Sequence, residues 1–552
     1  MKNSSEERRL LLAIALSLLV VTGYQLFFMP RPPAPTAKPA VAGSSPAPAP
    51  SAAAPVPELA APAPAPAPRA EALERRVEAA GKDVVLAFSN RGARLLSWRL
   101  RSFNDERGRP EEMVQAAPGG PRPLDIETGD AALDARLQAA LFVASSANLQ
   151  GPGELRFEFS DGELSAHRSY RLPAQGFVLE VEAEVRRAGQ ALPLRMLWGP
   201  GVTNPTTSET EVQGYVAPQA VARTPGGGVE RFSAEEIEAP RHLPQALWAG
   251  VESQYFAAVL VPPRPTAVEL RSSALAQGED GAVARGALAA VAVPGQGALK
   301  VYVGPKDWDT LHALRLGLEE VVPIGDWIGP IVVPLLRLLR FVHDHVGNYG
   351  WSIVVLTVLI NLVMGPLRHM SIANGMKMAK LSPEMRVIQE RYRKIPALDP
   401  RRQEMQKEIG ELYARHGMNM GTQMLVGCLP MLLTLPFLFA FYRVLTLAVE
   451  LRGATFLWIP DLSHKDPLFL TPLLLGVSMF AMQKMTPSTL DPAQQRIMMI
   501  MPLMLVVMFF AAPAGLNLYW LASNLCSIVQ QGVTLRLLRT AEARPRSERR
   551  RA

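Results

Sequence analysis

The 552-residue sequence predicts an α-helical polytopic membrane protein with a large β-sandwich on one side of the bilayer and a helical hairpin on the other. Three observations carry this expectation. Five stretches lack Asp, Glu, Lys, Arg and His throughout: Leu10–Met29, Val346–Leu367, Gly417–Tyr442, Pro467–Gln483 and Ile497–Leu535. Fourteen of the 49 prolines crowd between Pro30 and Pro68, so a spacer follows the first stretch. Eighteen of the 22 methionines fall between Met364 and Met508, which marks the C-terminal half as a different, apolar material. The averages of 48% hydrophobic and 19% charged residues thus mix three materials and argue against a single globular enzyme.

A bilayer core about 30 Å thick needs roughly 20 apolar residues in a helix. The last run, 39 residues long, accommodates two crossings at about 1.5 Å per residue, with the turn at Pro513-Ala514-Gly515. Six transmembrane helices are expected, at 10–29, 350–367, 421–449, 467–485, 495–512 and 515–537. The first reads as an uncleaved anchor, because its uncharged length exceeds a signal peptide's apolar region of about 7–15 residues and Tyr24-Gln25-Leu26-Phe27-Phe28 offers no A-x-A site.

Positive charge sets the orientation, since Lys and Arg favour the cytoplasmic side. Lys2, Arg8 and Arg9 precede the first span, a basic segment follows the second, and Arg536, Arg539, Arg544, Arg546, Arg549, Arg550 and Arg551 follow the last. The N-terminus (1–9) and the basic tail (538–552) are therefore placed in the cytoplasm, with residues 30–325 on the periplasmic side of an inner membrane. The net charge of +7 is first a topology signal. Both cysteines, Cys428 and Cys526, lie in apolar runs, which excludes a disulfide framework or cysteine zinc site from the outer region.

Residues 30–70 alternate Ala and Pro in an extended spacer that cannot bury a core; a ligand for an envelope partner is the alternative reading. Residues 71–310 carry short β-rich runs, among them Val84–Phe88, Leu155–Phe159, Phe177–Val185 and Leu299–Val303, and read as one periplasmic β-sandwich. They contain no P-loop, no H-E-x-x-H, no G-x-S-x-G and no clustered acid pair, so binding or scaffolding is expected rather than catalysis, without metal or cofactor. Over residues 326–346, Ile328, Ile331, Val332, Leu335, Leu338, Leu339, Val342 and Val346 recur at helical spacing opposite Arg337, Arg340 and Asp344. This predicts an interfacial amphipathic helix, or one packed on the β domain, kinked at Pro334.

Residues 370–416 form two charged stretches around Ile395–Pro400, with ten Lys/Arg against six Asp/Glu between Lys377 and Arg415, and predict a cytoplasmic helical hairpin. Met376, Met378 and Met385, with Arg391, Arg393 and Lys394, read as an adaptable basic surface for partners; the alternative is a methionine core under a solvated charge face.

Polar side chains are costly in hydrocarbon, so each one marks a candidate site. Thr357 and Asn361 stand four apart on one helix face, Thr434 lies in the third span, and Tyr519, Trp520, Ser523 and Asn524 crowd the last beside Asn517, Ser527, Gln530 and Gln531. A water-accessible groove accounts for this crowding, with interhelical hydrogen bonding as the alternative. Arg443 reads as snorkelling to the outer face. No internal repeat, intramembrane acid or Ser/His pair supports a transport cycle or intramembrane proteolysis.

Gly304-Pro305-Lys306, Val346-Gly347-Asn348-Tyr349-Gly350, Gly427-Cys428-Leu429-Pro430, Phe456-Leu-Trp-Ile-Pro-Asp-Leu462, Asp491-Pro492-Ala-Gln-Gln495 and Pro513-Ala-Gly-Leu-Asn-Leu-Tyr-Trp520 closely resemble the YidC membrane protein insertases over about Gly304–Arg539. The resemblance implies a five-helix insertase core whose hydrophilic groove opens to cytoplasm and lipid but not outward. Its implied partners are nascent membrane proteins, the lipid bilayer, the Sec translocon and, at the basic tail and hairpin, the ribosome; no nucleotide is hydrolysed. One departure stands out: the family usually carries Arg where this chain has Asn361. Arg368, seven residues on and about 10 Å along the same face if the helix passes Pro366, is expected as a charge at the groove mouth. Asn419–Val426 looks one helical turn longer than the family pattern. A transporter or channel with a periplasmic binding domain is the alternative and needs a continuous pore; an envelope-sugar enzyme would need a pocket with paired acids.

Overall fold

The computed structural model describes residues 67–543 apart from 106, 116–118, 204–206, 213–214, 278–282, 294–297, 326, 393–394, 396–398, 400, 417–435 and 487–491. The first span, most of the spacer, the start of the third span with Thr434 and the 419–426 stretch, Arg393, Lys394, and Arg549 to Arg551 lie outside the described residues. Two compact units are present, one holding the hairpin residues from Lys377 and the other the β domain and the remaining helices.

Alternating sequence makes the β domain. Val178–Arg187 buries Leu179, Val181 and Val185 while its glutamates face outward, the period-two signature of a strand with one wet face. A five-stranded sheet runs Pro110–Glu112, Arg94–Asn104, Val84–Ser89, Arg76–Ala80, Asn148–Gln150; a second runs Arg241–Ala246, Thr266–Gln277, Val283–Val293, Leu194–Trp198, Ile126–Glu127. Both share one apolar core with a ten-stranded sheet whose middle strands are Gln219–Arg223, Trp248–Glu252, Phe256–Val261, Leu299–Pro305 and Val178–Arg187.

Around Trp248–Glu252 and Phe256–Val261 the ten-stranded sheet is buried on both faces. Ala258, Leu260, Val301 and Val303 point into that shared core, whereas Val221, Trp248, Ala257, Val259 and Tyr302 join a second core made with the helices. This is why Phe256-Ala-Ala-Val-Leu-Val261 reads as an unbroken apolar run rather than an alternating one.

The helices are α1 (Ala131–Ala139), α2 (Thr207–Thr210), α3 (Trp308–Ala313), α4 (Gly329–Val346), α5 (Tyr349–Arg391), α6 (Arg401–Arg415), α7 (Pro436–Leu447), α8 (Leu470–Met485), α9 (Pro492–Phe509) and α10 (Ala514–Ala543). Helix α4 runs through Pro334 and stops at Gly347, whose φ of 74° suits only a residue without a Cβ penalty and whose N–H donates to His343 O at 2.7 Å. The stripe that the sequence offers to the membrane interface is largely covered by protein: Ile328, Val332, Leu335, Leu339 and Val342 are at most 7% exposed, while Leu338 and Val346 remain open. Trp248, Val259 and Tyr302 of the β domain belong to the same apolar cluster as this stripe.

Among the described residues one helix, α5, is long and apolar enough to cross a bilayer, while Pro436–Leu447 and Met498–Phe509 are shorter apolar helices. Span two and the first arm of the hairpin are one 43-residue helix. Pro366 removes one backbone donor without ending it. Within the hairpin unit, Leu381, Ile388, Met405, Ile409, Leu412 and Tyr413 form a buried seam, with Met378, Met385 and Tyr392 packed against it. Two of the methionines read as partner-facing are thus hairpin packing; Met385 Sδ accepts the Tyr413 hydroxyl at 3.0 Å.

Candidate functional site

The helical core divides along its length. At the end next to the β domain it is dry: Ile353, Leu356, Phe441, Phe456, Ile459, Leu462 and Tyr519 are at most 8% exposed. Gly350 is needed there, because a Cβ would sit 2.1 Å from the Phe456 ring. The loop after α7 is stitched to the start of α10 by Ala514 N–H to His464 O at 2.7 Å and Gly515 N–H to Leu462 O at 2.8 Å. Tyr519 stacks on Phe441 at 4.2 Å and Trp520 meets Phe509 edge-on at 4.6 Å. These two candidate residues therefore belong to aromatic packing in this conformation.

Beyond that closure the polar residues of α5 and α10 meet. Thr357 donates to Ile353 O at 2.6 Å and Asn361 Nδ2 to Thr357 O at 2.8 Å, so each satisfies its donor within the helix. Asn361 Oδ1 is then available to accept from Arg368 Nη1 at 3.2 Å. Helical side chains lean toward the N-terminus, so an arginine two turns on can return its guanidinium to the level of Asn361. Nη1 also donates to Ser527 Oγ and, at 3.2 Å, to Gln530 Oε1, while Gln530 Nε2 donates to Asn361 O at 2.7 Å. Asn361 Nδ2 lies 3.4 Å from Ser523 Oγ. Ser523, Ser527 and Gln530 share one face of α10 at spacings of four and three.

Arg368 is half-buried, and its hydrogen bonds among the described residues go to neutral acceptors and leave from Nη1 alone. Nε and Nη2 make no hydrogen bond among the described residues. Arginine suits this position, because its planar fork can be anchored on one side while binding on another.

The remaining polar residues of α10 have a different role. Asn524 Nδ2 donates to Ser478 Oγ at 3.0 Å and Gln531 Nε2 to Thr486 Oγ1 at 3.3 Å, joining α10 to the α8 side. Asn517 Nδ2 caps the end of α9 through Phe509 O at 3.2 Å. These three bond to α8 and α9, whereas Asn361 and Arg368 of α5 bond across to Ser523, Ser527 and Gln530 of α10. Ser527 and Gln530, four and seven residues after Ser523, belong to the polar crowding that the sequence shows in the last span. Met376, Met378 and Met385 are half-buried and Arg391 is exposed.

Residues 76–338 match the family described as YidC periplasmic domain, and residues 341–541 the family described as 60Kd inner membrane protein. The membrane protein insertase YidC of Geobacter sulfurreducens is 35% identical over 564 residues, covering 98% of this chain and 100% of its own. That of Citrifermentans bemidjiense is 42% identical over 232 residues, 42% of this chain and 41% of its own. A solved structure of an active YidC insertase with its first transmembrane domain resolved is similar at 17% identity and a TM-score of 0.35, over 85% of this chain and 94% of that one. Full-length identity at this level, together with both family matches, places the chain in the YidC membrane protein insertase family, with a periplasmic β domain and an inner-membrane helical core.

Proposed function

We propose that the chain inserts nascent membrane proteins into the inner membrane through a polar groove built on Asn361, Arg368, Ser523, Ser527 and Gln530. The observation that carries this reading is a half-buried guanidinium with neutral partners, set two helical turns from a dry closure at the β-domain end. Such a site draws a short hydrophilic tail part-way into the core and stops it short of a through-pore. The shape favours insertion over conduction, which needs a continuous polar path. The substrate's apolar helix then leaves sideways into lipid, where burial of about 0.8 kcal/mol per CH₂ drives the process. Helix α8 has 16 residues and α9 has 18, short for a hydrocarbon core of about 30 Å, which supports a locally thinned bilayer beside the groove.

The full arrangement proposed is six spans with both termini and the hairpin in the cytoplasm. The basic residues of the hairpin and of the tail suit ribosomal RNA or anionic lipid, and the insertase works alone or with the Sec translocon, also acting as a chaperone. In cells depleted of the native insertase, Asn361→Leu is expected to slow insertion of a short-tailed single-span substrate several-fold. Unchanged insertion would sink the groove assignment.

A further inference from the structure

The outer closure of the core is tied to the β domain by one side chain that the groove does not use. Arg452 follows the 3-10 turn Val449–Leu451, at the β-domain end of α7. Its Nη1 donates to Glu111 at 2.6 Å and to Asn104 O at 3.2 Å, and its Nε donates to Glu209 at 2.6 Å. The guanidinium also stands 5.5 Å from the Phe256 ring. Glu111 and Asn104 belong to the first five-stranded sheet and its hairpin, and Glu209 to α2, 341 and 243 residues away in sequence. All three charged side chains are at most 9% exposed.

A buried guanidinium shared between two carboxylates is held in place, because neither partner can leave without stranding charge in a dry site. The cluster connects directly to the closure. Gly453 N–H, next in the chain, donates to Asp461 Oδ2 at 2.8 Å, and Leu462, which follows Asp461, accepts from Gly515 N–H at 2.8 Å. On the other side of Arg452, Glu450 pairs with Arg340 of α4 at 2.6 Å, and Gln254 Nε2 of the β domain donates to Thr446 O at 2.9 Å. A short path of hydrogen bonds thus runs from the β domain to the first residues of α10.

We propose that Arg452 is the positioning residue that fixes the periplasmic β domain on the outer closure of the insertase core, so that a force displacing the domain is felt at the start of α10. This rests on the insertase reading only for its consequence; the coupling itself is a property of the fold. The test is hydrogen–deuterium exchange on the full chain in lipid nanodiscs, comparing the native protein with Arg452→Met, Arg452→Lys and Glu209→Gln. Arg452→Met is expected to speed exchange about tenfold or more together in residues 107–112, 453–466 and 514–516, leaving 178–187 unchanged. Arg452→Lys, with a single ammonium for two carboxylates, recovers part of that protection. If Arg452→Met fails to fold, Glu209→Gln is expected to give a smaller rise in the same three segments. A rise confined to the β domain, or none at all, overturns the proposal. Insertion is scored separately: intact dependence on Asn361 with unaltered exchange defeats the clamp alone, and lost dependence with the expected exchange defeats the insertase reading alone.

Discussion

Replacing Arg368 by methionine keeps an unbranched aliphatic stem and removes the charge together with its contacts to Asn361, Ser527 and Gln530. Two effects compete. Each lost bond from the charged guanidinium contributes about 1.5–3 kcal/mol net, while relief of a half-buried charge without a carboxylate partner offsets much of that loss, so folded stability should fall by about 2–4 kcal/mol. Function should change more selectively. A substrate carboxylate drawn to about 4 Å from the guanidinium gains roughly 4 kcal/mol at an effective dielectric near 20. Arg368 is only half-buried, so competition from water should leave about a third of this, near 1.4 kcal/mol or tenfold.

The assay is initial insertion rate into proteoliposomes, read as protease-protected substrate, for single-span substrates with zero, one or two Asp in the translocated tail. Arg368→Met is expected to cost about tenfold with one Asp, more with two and under threefold with none, and Arg368→Lys to fall between. An equal loss for all three tails would reduce Arg368 to a structural residue, and no loss for any would remove it from the mechanism.

Three further outcomes follow from the packing. Asn524→Leu breaks the link to Ser478 and should lower unfolding stability in detergent by about 0.5–1.7 kcal/mol with little effect on insertion; a large insertion defect at normal stability would return Asn524 to the groove. Gly350→Ala overpacks the closure against Phe456 and should cost about 1–3 kcal/mol, with Phe456→Leu restoring part of it; a neutral Gly350→Ala would contradict the close packing. Asp307 is half-buried beside Arg340, and although desolvation pushes its carboxyl up, the Thr310 hydroxyl and the Arg340 charge hold it below the usual value near 3.8. Its contribution is therefore present above that value and lost as pH falls through the lowered one, so Asp307→Asn should flatten the acid limb of a stability-versus-pH curve; an unchanged limb would contradict the pairing.

Much of the fold was legible because it rests on local periodicity. The alternation at Phe177–Val185 places a strand within one or two residues, and Pro513-Ala514-Gly515 marks the turn between α9 and α10. What the sequence hides depends on neighbours. Pro366 leaves open whether the helix goes on, and α5 does continue, because a proline in a long helix costs one bond that packing can offset. The α4 stripe looks the same whether lipid or Trp248 and Tyr302 cover it. Span six shows its amides, but not that Ser523, Ser527 and Gln530 turn to α5 while Asn524 turns to α8. Arg452 sits in a nearly neutral loop, and no local pattern links it to glutamates more than 240 residues away.

The central claim is that the Asn361–Arg368–Ser523–Gln530 cluster meets substrate during insertion. It is tested most directly by placing a photocrosslinking residue at Asn361, Ser523 or Gln530, with surface-exposed Leu473 of α8 as the reference, opposite a ribosome-stalled nascent membrane protein. Strong crosslinks from the cluster positions that fade once the substrate helix is released into lipid are the expected result. A folded protein whose three cluster positions crosslink no better than Leu473 would contradict it.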